Sequence, residues 1–565
     1  MIKLSIKNSM LFIQGINGGI IDLIAELPAK ISPKYQQDGY TVPLIASDFI
    51  FKHFLGKKIK FSVTPDLKSW FSSRKKKHQL LEKIKKGATC DKTLIPSAEV
   101  DIDKKFSLKK YQETLIRFGY IAKRFLIADD VGLGKTLMVV ALSRILFNRG
   151  EAKNVLFVVP APLIENFYDD IVKFFPKEKS IIKIGAETKK KRESKFNQVR
   201  IGKTKYVITN YEKFFHDYSN LMTCKFDMVV CDEGHKLKSI VSEKPAKMAV
   251  NFFRCLDIWN PKFRVMMSGT PIENMLMDLF PVYKFLDSGI IFGGKEFFEC
   301  NFVNWTTKII RVKNHWGGYS MISQRKADGF KNTKYLNHLA KPRFIRRKRS
   351  EVLAELPEHV HKVIKLTMSM KEKKQYKILE NELTGQPGAK QMGLRRFIGN
   401  PEYSFPHEKF NSMAKLDQLK SDFRNTAGKI LVFCFFIEEA KWIADELKKE
   451  GHKMLWLTGE ITDKSKIIKK FSTDPKIKGL VATDCINYGV NGLQCSQLVI
   501  DYSLPHKPSV LQQRHGRIHR LGKTNKTVAL SYVLLQTADE KIWASIQTKQ
   551  NIIDHTVEKI DSDIF

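Results

Sequence analysis

The stretch that most constrains this chain is residues 129–136, Asp129-Asp130-Val131-Gly132-Leu133-Gly134-Lys135-Thr136. An apolar run, Phe125-Leu126-Ile127-Ala128, leads in, and Leu137-Met138-Val139-Val140-Ala141-Leu142 leads out with helical character. Strand, Gly-rich turn and helix in that order expose backbone N–H groups at a helix N-terminus. There the donors and the helix dipole together hold phosphate. Lys135 would reach the terminal phosphates, and the Thr136 hydroxyl would ligate Mg²⁺. The strict pattern asks for Gly where this chain has Asp129. Taken alone, Gly-Lys-Thr also fits an ordinary strand–helix turn with an exposed lysine, so its partners downstream decide.

Those partners follow in order. Phe226-Asp227-Met228-Val229-Val230-Cys231-Asp232-Glu233-Gly234-His235 is an apolar strand that delivers two adjacent carboxylates at its C-terminal end. Asp232 would hold the Mg²⁺ shell, and Glu233 would polarise an attacking water. Asp-Glu after a strand is also how a capped helix begins, but paired with the loop it completes a nucleotide site. Further buried strands are expected at Asn154–Pro162, Tyr206–Tyr211 and Phe263–Pro271. Alternating with helical stretches, they predict a parallel, doubly wound sheet with ligands at the strand C-terminal ends. Gln112, one helix before the loop, carries a donor and an acceptor and could read the edge of adenine.

The length of 565 residues allows three or four domains. The net charge of +38 favours a polyanion, with nucleic acid the default partner. A Lys-rich coding bias would not by itself hold the acidic residues so low. The eight Cys form no C-x-x-C pair, which suggests neither a zinc site nor a disulfide framework and fits a reducing, cytoplasmic setting. No apolar run approaches the roughly 18 residues of a membrane span, so no membrane partner is expected.

Residues 1–100 read as a β-containing accessory region. Ile2, Leu4, Ile6, Met10 and Phe12 predict a small hairpin, and Ile20–Leu27 a short helix. Trp70 and Phe71 beside Arg74-Lys75-Lys76-Lys77 suit a nucleic-acid backbone or, equally, a solvated charged face. Lys189-Lys190-Lys191-Arg192 reads as a basic loop. The stretch 286–428 is long, basic and aromatic-rich, with Trp305, Trp316, Arg343, Arg346, Arg347, Lys348, Arg349, Arg395 and Arg396. A second alternating α/β unit without a phosphate loop begins near Lys429. Its strands are expected around Lys429–Phe435, Met454–Gly459, Gly479–Asp484 and Leu498–Tyr502. Near its end Arg514, Arg517 and Arg520 recur at every third residue, close to one helix face.

Together these stretches resemble the superfamily 2 helicases, and within them the Swi/Snf-type DNA-dependent ATPases. The carriers are Asp129–Thr136, Asp232–His235, Ser268–Asn274 and the block Phe344–Pro357. In that family Asp is usual at the position of Asp129. The resemblance spans residues 105–555 and implies an α/β fold of two tandem RecA-like lobes with helical protrusions, which in the family grip duplex DNA and here would use the basic residues of 286–428. The organisation it implies is an accessory domain at 1–100, lobe one at 101–285, helical protrusions and linker at 286–428, lobe two at 429–536 and a brace helix at 537–565. It also implies ATP and Mg²⁺. The nucleotide-binding set is Gln112, Asp130, Gly132, Gly134, Lys135, Thr136 and Gln513, with Thr136 and Asp232 on the metal. Lys135, Asp232 and Glu233 form the catalytic set with Arg517 and Arg520, the pair that faces the γ-phosphate. Three positions depart from the family: Lys523 for Gln, His506-Lys507-Pro508 for Trp-Asn-Pro, and Gly234 for Ala.

The expected function is an ATP-dependent translocase or helicase, acting as a monomer on duplex, forked or junction DNA. Fork remodelling, branch migration, recombination and repair are its expected settings. DNA contacts, mostly to the backbone, are expected at Pro160–Pro162, Asn210-Tyr211, Thr458-Gly459 and Gly489–Asn491; the alternative for the arginine helix, a basic face on DNA, fits Arg514 better than Arg517 or Arg520. The alternatives are a catalytically weak DNA-binding scaffold, a chromatin or protein-displacing remodeller, and an RNA-dependent relative.

Overall fold

The structure, a computed structural model, describes residues 2–553 apart from 9, 16–33, 37–38, 45–46, 88–95, 243, 270–275, 293, 314–317, 353–358, 384–386, 462, 487–491 and 520–525. The expected helix at Ile20–Leu27 lies outside the described residues. The chain divides into two units. One consists chiefly of Met1–Asp130 and Gly134–Arg347, the other of Val131–Leu133 and Lys348–Ile552.

The first unit opens on a sheet of β1 (Ile2–Lys7), β2 (Met10–Gln14), β3 (Lys34–Gln36), β4 (Gly39–Pro43) and β5 (Phe61–Val63), in the order β3-β4-β2-β1-β5. β1 and β2 form the predicted hairpin, with Lys7 opposite Met10. Asn8 turns it in the left-handed conformation (φ 52°), which Asn tolerates. Ile2, Leu4, Leu11 and Ile13 are buried, so one face of this sheet packs inward. The helix Pro65–Lys85 follows and carries the basic run, with Leu67, Leu81 and Ile84 buried.

The main sheet of this unit contains β6 (Arg124–Ile127), β7 (Val155–Val159), β8 (Ile181–Ile184), β9 (Tyr206–Asn210), β10 (Met228–Asp232) and β11 (Phe263–Met267). Every residue of β7, β9 and β11 is buried, the pattern of parallel strands covered on both faces. Two expectations change here. Lys189–Arg192 is no loop: the helix Lys189–Arg200 starts there, anchored by buried Phe196 and Val199. Residues 303–330, expected as a helical protrusion, are a two-stranded antiparallel ribbon of β12 (Val303–Lys313) and β13 (Tyr319–Phe330). The β-branched run Thr306-Thr307, Ile309-Ile310 and Val312 favours strand over helix. The short β14 (Phe344–Ile345) then closes the main sheet, whose order is β14-β6-β11-β10-β7-β9-β8. All its pairings are parallel.

The second unit is a wholly parallel sheet in the order β15-β20-β19-β16-β18-β17. Its strands are β15 (His359–Leu366), β16 (Lys429–Phe433), β17 (Met454–Leu457), β18 (Gly479–Ala482), β19 (Ser496–Asp501) and β20 (Thr527–Leu534). β15, drawn from the stretch read as linker, thus belongs to the sheet. The helix Ala538–Ile553 packs Ile542 and Ile546 against Leu504, Leu511 and Val533. Each unit is therefore a doubly wound, RecA-like α/β lobe. Among the described residues, no helix is long and apolar enough to cross a membrane.

Candidate nucleotide site

β6, β11 and β10 are adjacent in the first sheet, so the residues after their C-terminal ends arrive together. Ser268 N donates to Ile127 O (3.0 Å), and Glu233 N donates to Met267 O (2.9 Å). After β6 the chain turns through Gly132 (φ 93°) and Gly134 (φ 78°), conformations that Gly adopts without a Cβ penalty. Lys135 then opens the helix Lys135–Asn148. A Cβ on Gly134 would meet Gln112 Nε2 at 2.8 Å, so Gln112 lies against the loop. Gln112 Oε1 accepts from Lys109 N (3.0 Å), which fixes the amide at the start of its own helix. Lys135 Nζ is held over the loop by the carbonyls of Asp129 (2.8 Å) and Asp130 (3.1 Å).

Asp129 explains its own presence. Its side chain is fully buried, and it is paired with Arg347, whose Nε lies 3.1 Å from Oδ1. Arg347 also donates to Tyr111 O and lies over the Tyr111 ring at 5.2 Å. Its own carbonyl accepts from Asp130 N (3.2 Å). A buried carboxylate is tolerated when a cation and hydrogen bonds match it. Sequence reasoning placed Arg347 among DNA-gripping cations; in the structure it is the counter-charge of the phosphate loop. β14, paired with β6, carries it there.

Asp232 and Glu233 follow one another at the C-terminal end of β10. Burial, and next the neighbouring Glu233, push the Asp232 carboxyl up to about 7, while Lys135 pulls the other way. Tyr211 OH donates to the backbone carbonyl of Asp232 (2.7 Å). Glu233 itself takes the left-handed conformation (φ 51°), uncommon outside Gly and typical of functional turns. Ser268 Oγ lies 3.4 Å and His235 Nδ1 3.3 Å from Glu233 Oε2, which aims the carboxylate. Two adjacent carboxylates, with a hydroxyl residue at the start of the helix after β6, fit a hard divalent cation that takes oxygen ligands. Thr136 and Asp232 are the residues that would hold it. The departure at Gly234 has a local cause: a Cβ there would come within 2.5 Å of Met266 Cε and Sδ.

In the second unit the expected arginine face breaks up. The helix ends at His515, and Gly516 follows, so Arg514 is on the helix while Arg517 sits on the turn beyond it. Arg520 lies outside the described residues, as do Lys523, Thr270–Asn274 and Gly489–Asn491. Gln513 and Arg517 are both buried. Arg514 is no DNA contact: it is fully buried, with Asp484 Oδ1 at 2.8 Å and Asp501 Oδ1 at 3.0 Å. Asp501 Oδ2 accepts from Ser531 Oγ and pairs with His515 Nε2, both at 2.8 Å. His361, Asp501 and His515 bring three potential ligand atoms within 4.8 Å of one another. His361 pairs with Ser531 Oγ at 3.0 Å, so hydrogen bonds already satisfy this knot.

Other expected DNA contacts also move inward. Tyr211 is fully buried, and Asn210 Oδ1 accepts from Lys213 N (3.2 Å). Arg395 is buried over the Phe435 ring at 3.9 Å and pairs with His506 Nε2. That contact gives His506 a packing role in place of the family's Trp. Ala161, Pro162 and Gly459 remain exposed at strand ends.

The chain matches the SNF2-related domain over residues 68–423 and the helicase conserved C-terminal domain over 411–522. It is 25% identical over 469 residues to the chromatin structure-remodeling complex protein SYD of Arabidopsis thaliana, covering 76% of this chain and 12% of that protein. It is 24% identical to the transcription regulatory protein SNF2 of Saccharomyces cerevisiae, covering 76% and 26%. With the ATP-dependent helicase FUN30 of the same yeast the identity is 23%, covering 77% and 45%. The chain thus spans less than half the length of these curated relatives. The solved Sulfolobus solfataricus SWI2/SNF2 ATPase core in complex with dsDNA is 20% identical, with a TM-score of 0.40, covering 83% of this chain and 97% of that one. With the SNF2-related match covering more than half its residues and the helicase C-terminal match behind it, the chain belongs to the SNF2-related family of superfamily 2 helicases.

Proposed function

We propose that this chain is an ATP-driven motor on DNA, a translocase of duplex or branched substrates. One observation carries the reading: the adjacent carboxylates Asp232 and Glu233 stand at the end of a strand two places from β6 in the sheet, the strand that leads into the loop of Lys135, and Asp232 has its proton affinity raised. The amides around Gly132 and Gly134 and the Lys135 ammonium would bind the phosphates, with Asp130 in the same loop. Gln112 would meet the adenine edge, and Gln513 would contribute from the second unit. Bound Mg²⁺ would neutralise charge developing on the phosphoryl oxygens. Glu233, aimed by Ser268 and His235, would orient the attacking water. Arg517 and Arg520 would supply cationic charge to the transition state, an effect worth about 10³–10⁵ in rate in other phosphoryl-transfer enzymes.

The net charge of +38 supports a DNA track held mostly through phosphates. Relatives named for chromatin remodelling and as helicases support DNA as the class of substrate. For its use we propose replication-fork remodelling, branch migration, recombination or repair. The test is ATP hydrolysis with linear duplex, forks, four-way junctions and nucleosomes. Stimulation by DNA that disappears in Lys135→Ala supports the motor, and strongest stimulation by forks or junctions supports the proposed use. Hydrolysis indifferent to DNA, or surviving in Lys135→Ala, overturns it. A complex lifetime unchanged by Glu233→Gln under nucleotide would favour a non-hydrolysing scaffold instead.

A further inference from the structure

The helix Pro65–Lys85 gathers its basic residues into one place. Arg74, Lys75 and Lys83 line a cavity of about 830 Å³ within the first unit, facing Lys341 and Pro342, with Phe71 in its wall. The acidic residue in the lining, Glu82, is engaged by Lys85 (3.0 Å) and Lys341 (3.2 Å). Two more basic residues of the same helix feel this charge. Burial, then Arg343 and Lys123, hold the Lys77 ammonium below its usual range. Burial, then Arg74 and His338, bring His78 down to about 4, so near pH 7 it is a neutral hydrogen-bonding group. Like charges gathered at a partly desolvated site repel one another, and an anion relieves that repulsion.

The shape narrows the anion. A duplex offers its phosphates on a wide convex surface and needs no cavity. A single strand offers a flat base beside each phosphate, and sites for it alternate cations with apolar walls. We infer that this groove holds a single strand of nucleic acid, with phosphates on Lys75, Lys83 and Lys341 and a base against Phe71 and Pro342. This rests on DNA being the track of the motor and adds a second site that no motor motif uses. At a fork or junction, one unit would then hold a displaced strand while the motor engages duplex.

The experiment uses the full chain and Lys75→Glu/Lys83→Glu, two exposed positions, with Lys75→Gln/Lys83→Gln as the milder variant. Fluorescence anisotropy reads the affinity for a labelled oligothymidylate of about 12 nucleotides, within the range of single-strand sites. Hydrolysis stimulated by blunt duplex is read alongside. The expected result is an affinity loss of about tenfold or more for the charge reversal, with a shallower salt slope. Duplex-stimulated hydrolysis should stay within about twofold. Oligothymidylate affinity that is unchanged in the charge reversal overturns the site. A parallel loss of duplex stimulation in both variants also overturns it, because the cations would then belong to the duplex track. Wild-type hydrolysis without DNA stimulation would sink the motor reading while leaving the oligonucleotide measurement able to judge the groove.

Discussion

Two carboxylates at strand ends, Asp232 in the first unit and Asp501 in the second, behave in opposite ways. Asp501 is the deeper, with no exposed surface, yet it ionises more readily. Burial alone would raise it, but His515 and then Arg514, helped by Ser531, bring it down to about 2. Asp232 has a carboxylate neighbour and a more distant lysine, and it rises to about 7. The difference lies in what surrounds each group rather than in depth. Asp501 is balanced by its own chain, whereas Asp232 keeps a raised proton affinity, as a carboxylate that awaits a cation would.

The contrast can be broken at either end. The largest effect is expected from Asp232→Asn, which should lower ATP turnover by about 10³-fold or more while leaving the denaturation midpoint equal or higher. Equal losses of stability and turnover would mean that Asp232 is structural. Arg514→Ala should cost about 3 kcal/mol in chemical denaturation, because it removes the guanidinium paired with Asp501 in the interior. A cost under about 1 kcal/mol would show that water reaches the knot. The pH response should differ in sign. Asp501, lowered from 3.8 to about 2, adds stability above 3.8 that is lost as pH falls through about 2. Asp232, raised from 3.8 to about 7, costs stability as pH rises through that window. The stability gap between Asp232→Asn and wild type should therefore widen from pH 4 to 7 (about 3.8 to 7 by the shift), and a flat gap would contradict it. The smallest effect is expected from Gly234→Ala, about 1 kcal/mol, because the atoms it meets are the flexible end of Met266.

How much of this was legible in the sequence follows the distance between partners. The loop, Asp232 and Glu233 are local motifs, and each strand that delivers them is a continuous apolar run. Parallel sheets covered on both faces write themselves in that way. Arg347 was misplaced because its partner Asp129 is 218 positions away, and nothing in a basic block says which arginine turns inward. The shared helix face of Arg514 and Arg517 was misread because the helix stops at His515, and the partners of Arg514, Asp484 and Asp501, lie outside its own segment. The ribbon at 303–330 was legible in its β-branched run, but the family resemblance, which implies helices there, outweighed it. The helix from Lys189 hid behind its charges; only Phe196 and Val199 mark its inner face.

Arg347 has one more property: it is the last residue of the first unit's main segment, and Lys348 opens the second unit's long segment. The residue that ends this segment is thus also the ion-pair partner of Asp129. A substitution at this one arginine would therefore unbalance a buried carboxylate 218 positions earlier in the chain, at the mouth of the glycine turn.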